Sequence, residues 1–123
     1  MKKIIVICVL LSVMFAFPAW GAKSRPMSDE RFVKLSRTGP NRSIIAAINN
    51  GANVNARDKY GITPLMYAAA DFGDTRQLVE FLIKAGADVN IKDNYGKKAA
   101  DYARENEKLE GTDILKRLEN LSR

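Results

Sequence analysis

The feature that most constrains what this chain folds into is a phrase that occurs twice. Gly51-Ala52-Asn53-Val54-Asn55 returns as Gly86-Ala87-Asp88-Val89-Asn90, and Arg57-Asp58-Lys59-Tyr60-Gly61 returns as Lys92-Asp93-Asn94-Tyr95-Gly96. Both are shifted by 35 residues. Two matches in one register define a tandem array, in which each unit buries its apolar side against its neighbours rather than against itself.

The unit between the phrases reads as two helices. Thr63 precedes Pro64, a hydroxyl cap followed by a residue that opens a helix without needing its missing N–H. The run Leu65 to Ala70 then makes a short helix, in which Ala68 and Ala69 allow a neighbouring helix to approach closely. Asp74 followed by Gln77 has the spacing of a capping box, and Leu78, Val79, Leu82 and Ile83 follow at helical spacing. Gly86 takes the left-handed turn that ends this second helix, and Asp88 and Asn90 suit the loop beyond.

Gly61-Ile62-Thr63-Pro64-Leu65 with Ala68-Ala69, then Val79, Leu82 and Gly86-Ala87-Asp88-Val89-Asn90, resemble the ankyrin repeat. The resemblance implies an all-α repeat solenoid of helix-loop-helix pairs joined by β-hairpin fingers, about three units including caps. The family unit is about 33 residues, so two extra residues are expected between Phe72 and Thr75. Met66 stands where the family carries the histidine of its threonine-proline-leucine-histidine motif, and the chain has no histidine.

The outer units are weaker copies. Ser28-Asp29-Glu30 opens a helix with a capping hydroxyl and acids that suit the positive end of the helix dipole. Phe32 and Leu35 share a face, Gly39-Pro40-Asn41 breaks the chain, and Ile44, Ile45 and Ile48 form a second stripe. After Gly96, Lys98, Ala99 and Asp101 replace threonine, proline and histidine. Ala99, Ala100, Tyr102 and Ala103 keep the close-packing face, 105–111 reads as a charged connection, and Thr112-Asp113 caps a last helix carrying Ile114, Leu115, Leu118 and Leu121. The expected organisation is a signal peptide at 1–21, a short leader at 22–27, and a repeat domain at 28–123. Within the domain, 28–57 is the N-terminal cap, 58–92 the central repeat and 93–123 the C-terminal cap.

The signal reading rests on Lys2 and Lys3, an apolar run from Ile4 to Phe17, a break at Pro18, and small residues around Ala19-Trp20-Gly21. Cleavage is expected after Gly21, with Ala22 the second choice. The run is short for a span of about 20 residues, so an uncleaved anchor is the lesser alternative. Cys8 sits too early in the run for lipidation, and without it the exported chain has no cysteine. Export through a bacterial envelope places the protein in the periplasm or outside the cell.

No histidine and no mature cysteine remove the commonest bases, nucleophiles and transition-metal ligands. Asp71 with Asp74, and Asp88 with Asp93, have local uses as caps or turn residues and lack calcium-loop spacing. Neither an enzyme nor a metal site nor a cofactor is expected. The precursor carries a net charge of +6, and without Lys2 and Lys3 the balance is 18 basic to 14 acidic residues. Lys23, Arg25, Arg31, Lys34, Arg37 and Arg42 gather near the start, but no aromatic-basic alternation suggests nucleic acid, and a solvated basic face is the simpler account.

What an array offers is a surface. By resemblance, its concave face presents Arg57, Lys59, Tyr60 and Ile62 on the first finger, Met66, Ala70 and Asp71 on the helix behind it, then Lys92, Asn94, Tyr95 and Lys97. Tyr60 and Tyr95, equivalent across the period, are the leading hot-spot candidates, with packing between fingers as the rival account. The function expected is an exported monomeric module binding one protein partner, as accessory to an envelope enzyme or as immunity protein against a periplasmic toxin. Membrane contact is not expected once the signal is removed. The alternative is an envelope adapter holding anionic lipid or polysaccharide through N-terminal basic residues, whose binding would vanish with salt.

Overall fold

A computed structural model describes residues 27–71, 75–107 and 109–123. The signal segment at 1–21, Asp74 of the expected capping box, and Phe72 to Asp74 of the expanded loop lie outside the described residues. Among the described residues the elements are six helices: α1 (Asp29–Thr38), α2 (Asn41–Asn49), α3 (Pro64–Ala70), α4 (Arg76–Lys84), α5 (Ala99–Glu105) and α6 (Asp113–Leu121). They form three pairs, with α1, α3 and α5 stacked as one layer and α2, α4 and α6 as the other. This is the all-α repeat solenoid that the family resemblance implies. None of these helices is long and apolar enough to cross a membrane.

Each helix end follows from a local cue. Thr63 Oγ1 accepts from Met66 N at 3.3 Å, with Pro64 behind it, so α3 starts where the cap and the proline place it. Gly51 and Gly86 have φ of 90° and 94°. At both, the next residue reaches back into the last helical turn, Ala52 N to Ala47 O at 3.0 Å and Ala87 N to Leu82 O at 2.9 Å. These are paired Schellman stops, and they recur because the phrase recurs. Thr112 caps α6 through Leu115 N at 3.4 Å.

Two caps differ from the sequence expectation, and a third is built in another way. Ser28 occupies the N-cap of α1 but its side chain makes no capping bond, so the two acids Asp29 and Glu30 are what favours that end. The N-cap of α4 is Thr75, whose hydroxyl turns away to donate to Ala68 O at 2.8 Å and so satisfies an orphan carbonyl at the end of α3. At α5 the lysine in the cap position has no acceptor, and Asp101 instead takes the Lys98 N–H at 2.9 Å.

The fingers are turns rather than β-hairpins, and among the described residues there is no strand. In the first, Asp58 N donates to Ile62 O at 3.1 Å, but Ile62 N returns to Asp58 Oδ1 at 2.9 Å instead of to the carbonyl. The carbonyl of Asp58 is used by Gly61 N at 2.9 Å. A carboxylate thus takes the place of the second ladder bond, which closes the turn and ends the ladder at once. Asp93, Gly96 and Lys97 repeat the arrangement.

The core runs between the layers. Phe32, Ile44, Leu65, Met66, Val79, Leu82 and Leu118 are all but sealed from solvent, and α5 contributes Ala99, Ala100 and Ala103. The connection after α5, charged in sequence, also buries Asn106 and Leu109. Asn106 Nδ2 donates to Ala69 O at 3.0 Å and to Asp71 O at 2.8 Å, tying the third unit to the end of α3 in the second.

Candidate protein-binding face

The fingers stack through backbone and polar side chains in register with the repeat. Asn94 N donates to Tyr60 O at 3.0 Å and Asn94 Nδ2 to Lys59 O at 3.0 Å. Arg57 Nη2 donates to Lys92 O at 2.8 Å and its Nε to Gly61 O at 3.3 Å. One step closer to the helices, Asn55 Oδ1 accepts from Asp88 N at 2.7 Å. Fixing each finger to the next makes the row of tips one continuous edge.

This geometry sorts the eleven sequence candidates. Tyr60 and Tyr95 stand out from the edge, 42 % and 75 % exposed. Lys59, Lys92 and Asp71 are exposed as well. The Lys59 ammonium lies 4.9 Å from the centre of the Tyr60 ring. Arg57 and Asn94 are exposed, and each spends one side-chain donor on the neighbouring finger, Arg57 keeping further guanidinium donors free of it. Lys97 pairs with Glu105 at 2.7 Å. Ile62 and Ala70 are half-buried, and Ile62 packs on the core. Met66 is only 1 % exposed and is not on the face. It lies in the layer where α1 and α5 pack on either side of α3, so an apolar side chain there is drawn inward.

Two groups of residues that sequence reasoning did not place on this face belong to it. Glu30, Val33, Lys34 and Arg37 recur at helical spacing along α1, and with Arg57, Lys59 and Tyr60 they wall a cleft of about 430 Å³ between α1 and the first finger. The helical spacing was the available signal. On the wall of the same cleft, Tyr67 Oη donates to Asp58 Oδ2 at 2.5 Å, a pair matched by Tyr102 and Asp93. Aligning Tyr67 with Tyr102, 35 residues apart, was the signal for this pair.

The buried-edge aspartates are held as anions. Burial alone would raise the Asp58 carboxyl, but the bonds from Tyr67, Ile62 and Tyr60 and the attraction of Arg37 outweigh it and leave it below its ordinary value. Asp93 is lowered by the same balance, with Tyr102, Lys97 and Tyr95 as its donors. The tyrosines move the other way. Burial and the bond to Asp58 push Tyr67 up to about 12, and burial and Asp93 raise Tyr102.

The family model described as ankyrin repeats in many copies matches residues 48–103. That segment runs from the end of α2 through α3, α4 and both fingers to α5, the same span as the duplicated phrase and its stacked turns. This is an ankyrin-repeat protein. No curated protein matches the chain. Ankyrin repeats generally mediate protein–protein interaction, which implies a protein-binding role for this chain. In this ankyrin domain the finger edge and the α1 cleft lie side by side, joined through Arg57, Lys59 and Tyr60.

Proposed function

We propose that the chain is an exported module that binds one protein partner through its fingers and first helices. The observation that carries this reading is the placement of Tyr60 and Tyr95, two rings left outside at equivalent points of adjacent fingers. A ring that is 75 % exposed gains little from its own fold, so intramolecular packing does not account for Tyr95. Tyrosine offers a large contact area with little side-chain entropy to lose, which suits a hot spot. Export rests on the basic, apolar and small-residue order of the first 21 residues. Export would put the module in the periplasm or outside the cell, as accessory to an envelope enzyme or as an immunity protein against a periplasmic toxin.

Photo-crosslinking residues placed at Tyr60 and Tyr95 in cells making the full chain test the interface. Exposed Glu80 on α4 serves as control. The expected result is one discrete protein adduct from both finger positions and none from Glu80. Adducts from Glu80 alone, or from none of the three, overturn the reading. N-terminal sequencing of the exported form is expected to begin at Ala22 or Lys23, and full-length chain found only in the membrane fraction overturns export.

A further inference from the structure

Charge is unevenly spread along this stack. Residues 28–60 hold six Lys and Arg against three Asp and Glu, whereas residues 61–123 hold ten against eleven. Pairing sharpens the difference. The ion pairs among the described residues are Lys97 with Glu105, Arg104 with Asp101 and Glu119, and Lys116 with Asp113, all in the C-terminal unit. Lys34, Arg37, Arg57 and Lys59 form no ion pair among the described residues, yet all four wall the same cleft.

Of the two acids in that cleft, one is already answered. Asp58 accepts from Tyr60 N, Ile62 N and Tyr67 Oη, so its lone pairs are largely spent on the fold. Its charge remains and attracts Arg37, so Glu30 and Asp58 together offset two of the four cations and leave the walls with a surplus of two positive charges. The Arg57 guanidinium is held by two carbonyl groups, Gly61 O and Lys92 O, so its charge is fixed in place before any ligand arrives. Tyr60, part exposed, adds an aromatic wall to the charged one.

We propose that this cleft takes an extended acidic segment of the protein partner, its carboxylates facing Lys34, Arg37 and Arg57 and an apolar side chain resting on Tyr60. The proposal rests on the reading of the face as partner-binding, and it adds the chemistry of what is bound. A volume of about 430 Å³ admits a few residues of extended chain and not a folded domain. The recess between α1 and the finger is concave, so a flat lipid surface reaches its rim and not its walls. Four cations beside an aromatic ring fit a segment that alternates carboxylate and apolar side chains.

The test uses the full chain and a fluorescent peptide of alternating glutamate and leucine, followed by anisotropy at low and physiological salt. Its glutamine counterpart and vesicles of phosphatidylglycerol with phosphatidylcholine are the comparison probes. The glutamate peptide is expected to bind and the glutamine peptide to bind at least about tenfold more weakly. Lys34→Glu with Arg37→Glu is expected to weaken the glutamate peptide about tenfold, since each reversal removes an attraction and adds a repulsion. Both side chains are exposed, so folding is retained. Arg76→Glu with Arg117→Glu changes net charge equally at exposed sites away from the cleft and is expected to leave binding unchanged. Equal binding of the two peptides, or equal losses in the two variants, overturns the proposal. So does binding of vesicles but of neither peptide. Such failure leaves finger crosslinking intact, whereas loss of finger crosslinks with peptide binding retained strikes the partner-face reading instead.

Discussion

Tyr67 Oη donates to Asp58 Oδ2 at 2.5 Å, and Tyr102 repeats the bond to Asp93 one period later. Each pair ties the middle of a first helix to the base of the finger that leads into it. The other oxygen of each aspartate holds two finger amides, so one carboxylate sets the turn and anchors it to the helix.

The pair makes stability depend on pH from both sides. Asp58 and Asp93 titrate lower folded than unfolded, so their contribution is present above the ordinary carboxylate value of 3.8 and is lost as pH falls through the folded values. Tyr67 titrates higher when folded, so its contribution is present below 10.0 and is lost as pH rises through about 12. With no histidine in the chain, urea midpoints are expected to be flat from roughly pH 5 to 9 and to fall on either side. Tyr67→Phe is expected to cost about 1 kcal/mol, low for a bond to a charged group because water reaches the half-buried ring, and to make the alkaline arm shallower, the rest being carried by Tyr102. A variant with an unchanged alkaline arm would show that the hydroxyl is not what titrates.

Gly61 and Gly96 separate finger geometry from finger stacking. Both have positive φ, 76° and 78°, so alanine at either is strained by about 1 to 2 kcal/mol. Only at Gly61 does an added Cβ meet neighbours, Arg57 Nη2 at 2.7 Å and Asn94 Oδ1 at 2.9 Å, while at Gly96 nothing lies within 4 Å. Gly61→Ala is therefore expected to destabilise more than Gly96→Ala and to disturb the Asn94 bonds to the first finger. Urea denaturation of the two variants reads the difference, and equal losses would mean that the fingers do not support one another.

Much of this was legible because its signals are local. The period, the Thr63-Pro64 start and the glycine stops each act within a few residues and return with the phrase. What was missed depends on contacts between units. Met66 is turned inward because two first helices flank α3, which helical spacing alone does not reveal. Lys34 and Arg37 read as solvated charge until α1 is set beside the first finger. The hairpins gave way to turns because a carboxylate, not a carbonyl, takes the returning N–H.

Asn106 is the clearest case of such a contact. The connection that holds it reads as charged, yet Asn106 is 1 % exposed and caps the carbonyls of Ala69 and Asp71. Asn106→Ala is expected to cost about 2 to 3 kcal/mol, because the buried Ala69 carbonyl loses its donor. Asn106→Asp is expected to cost more, since it turns an acceptor on two acceptors. Circular dichroism melts rank the two, and an aspartate variant as stable as wild type would show that the amide group is not the tie.

The stack itself predicts unequal roles for buried leucines. Each unit touches only its neighbours, so the central pair couples both caps, and α4 packs against α2 on one side and α6 on the other. Leu82 lies in α4 and is 0 % exposed, whereas Leu121 at the end of α6 is 47 % exposed. Truncating Leu82 leaves a cavity in the central unit, and such changes cost about 2 to 5 kcal/mol. A domain of this size has only about 5 to 15 kcal/mol to lose. Leu82→Ala is therefore expected to bring the whole domain close to unfolding, with finger crosslinking lost alongside. Leu121→Ala removes a side chain already half in water at a helix end, where about 1 kcal/mol or less is at stake. Thermal melts of the two purified variants decide the matter. Similar falls in Tm would mean that the central unit does not couple the caps, and the stack would then have to be described as locally independent pairs.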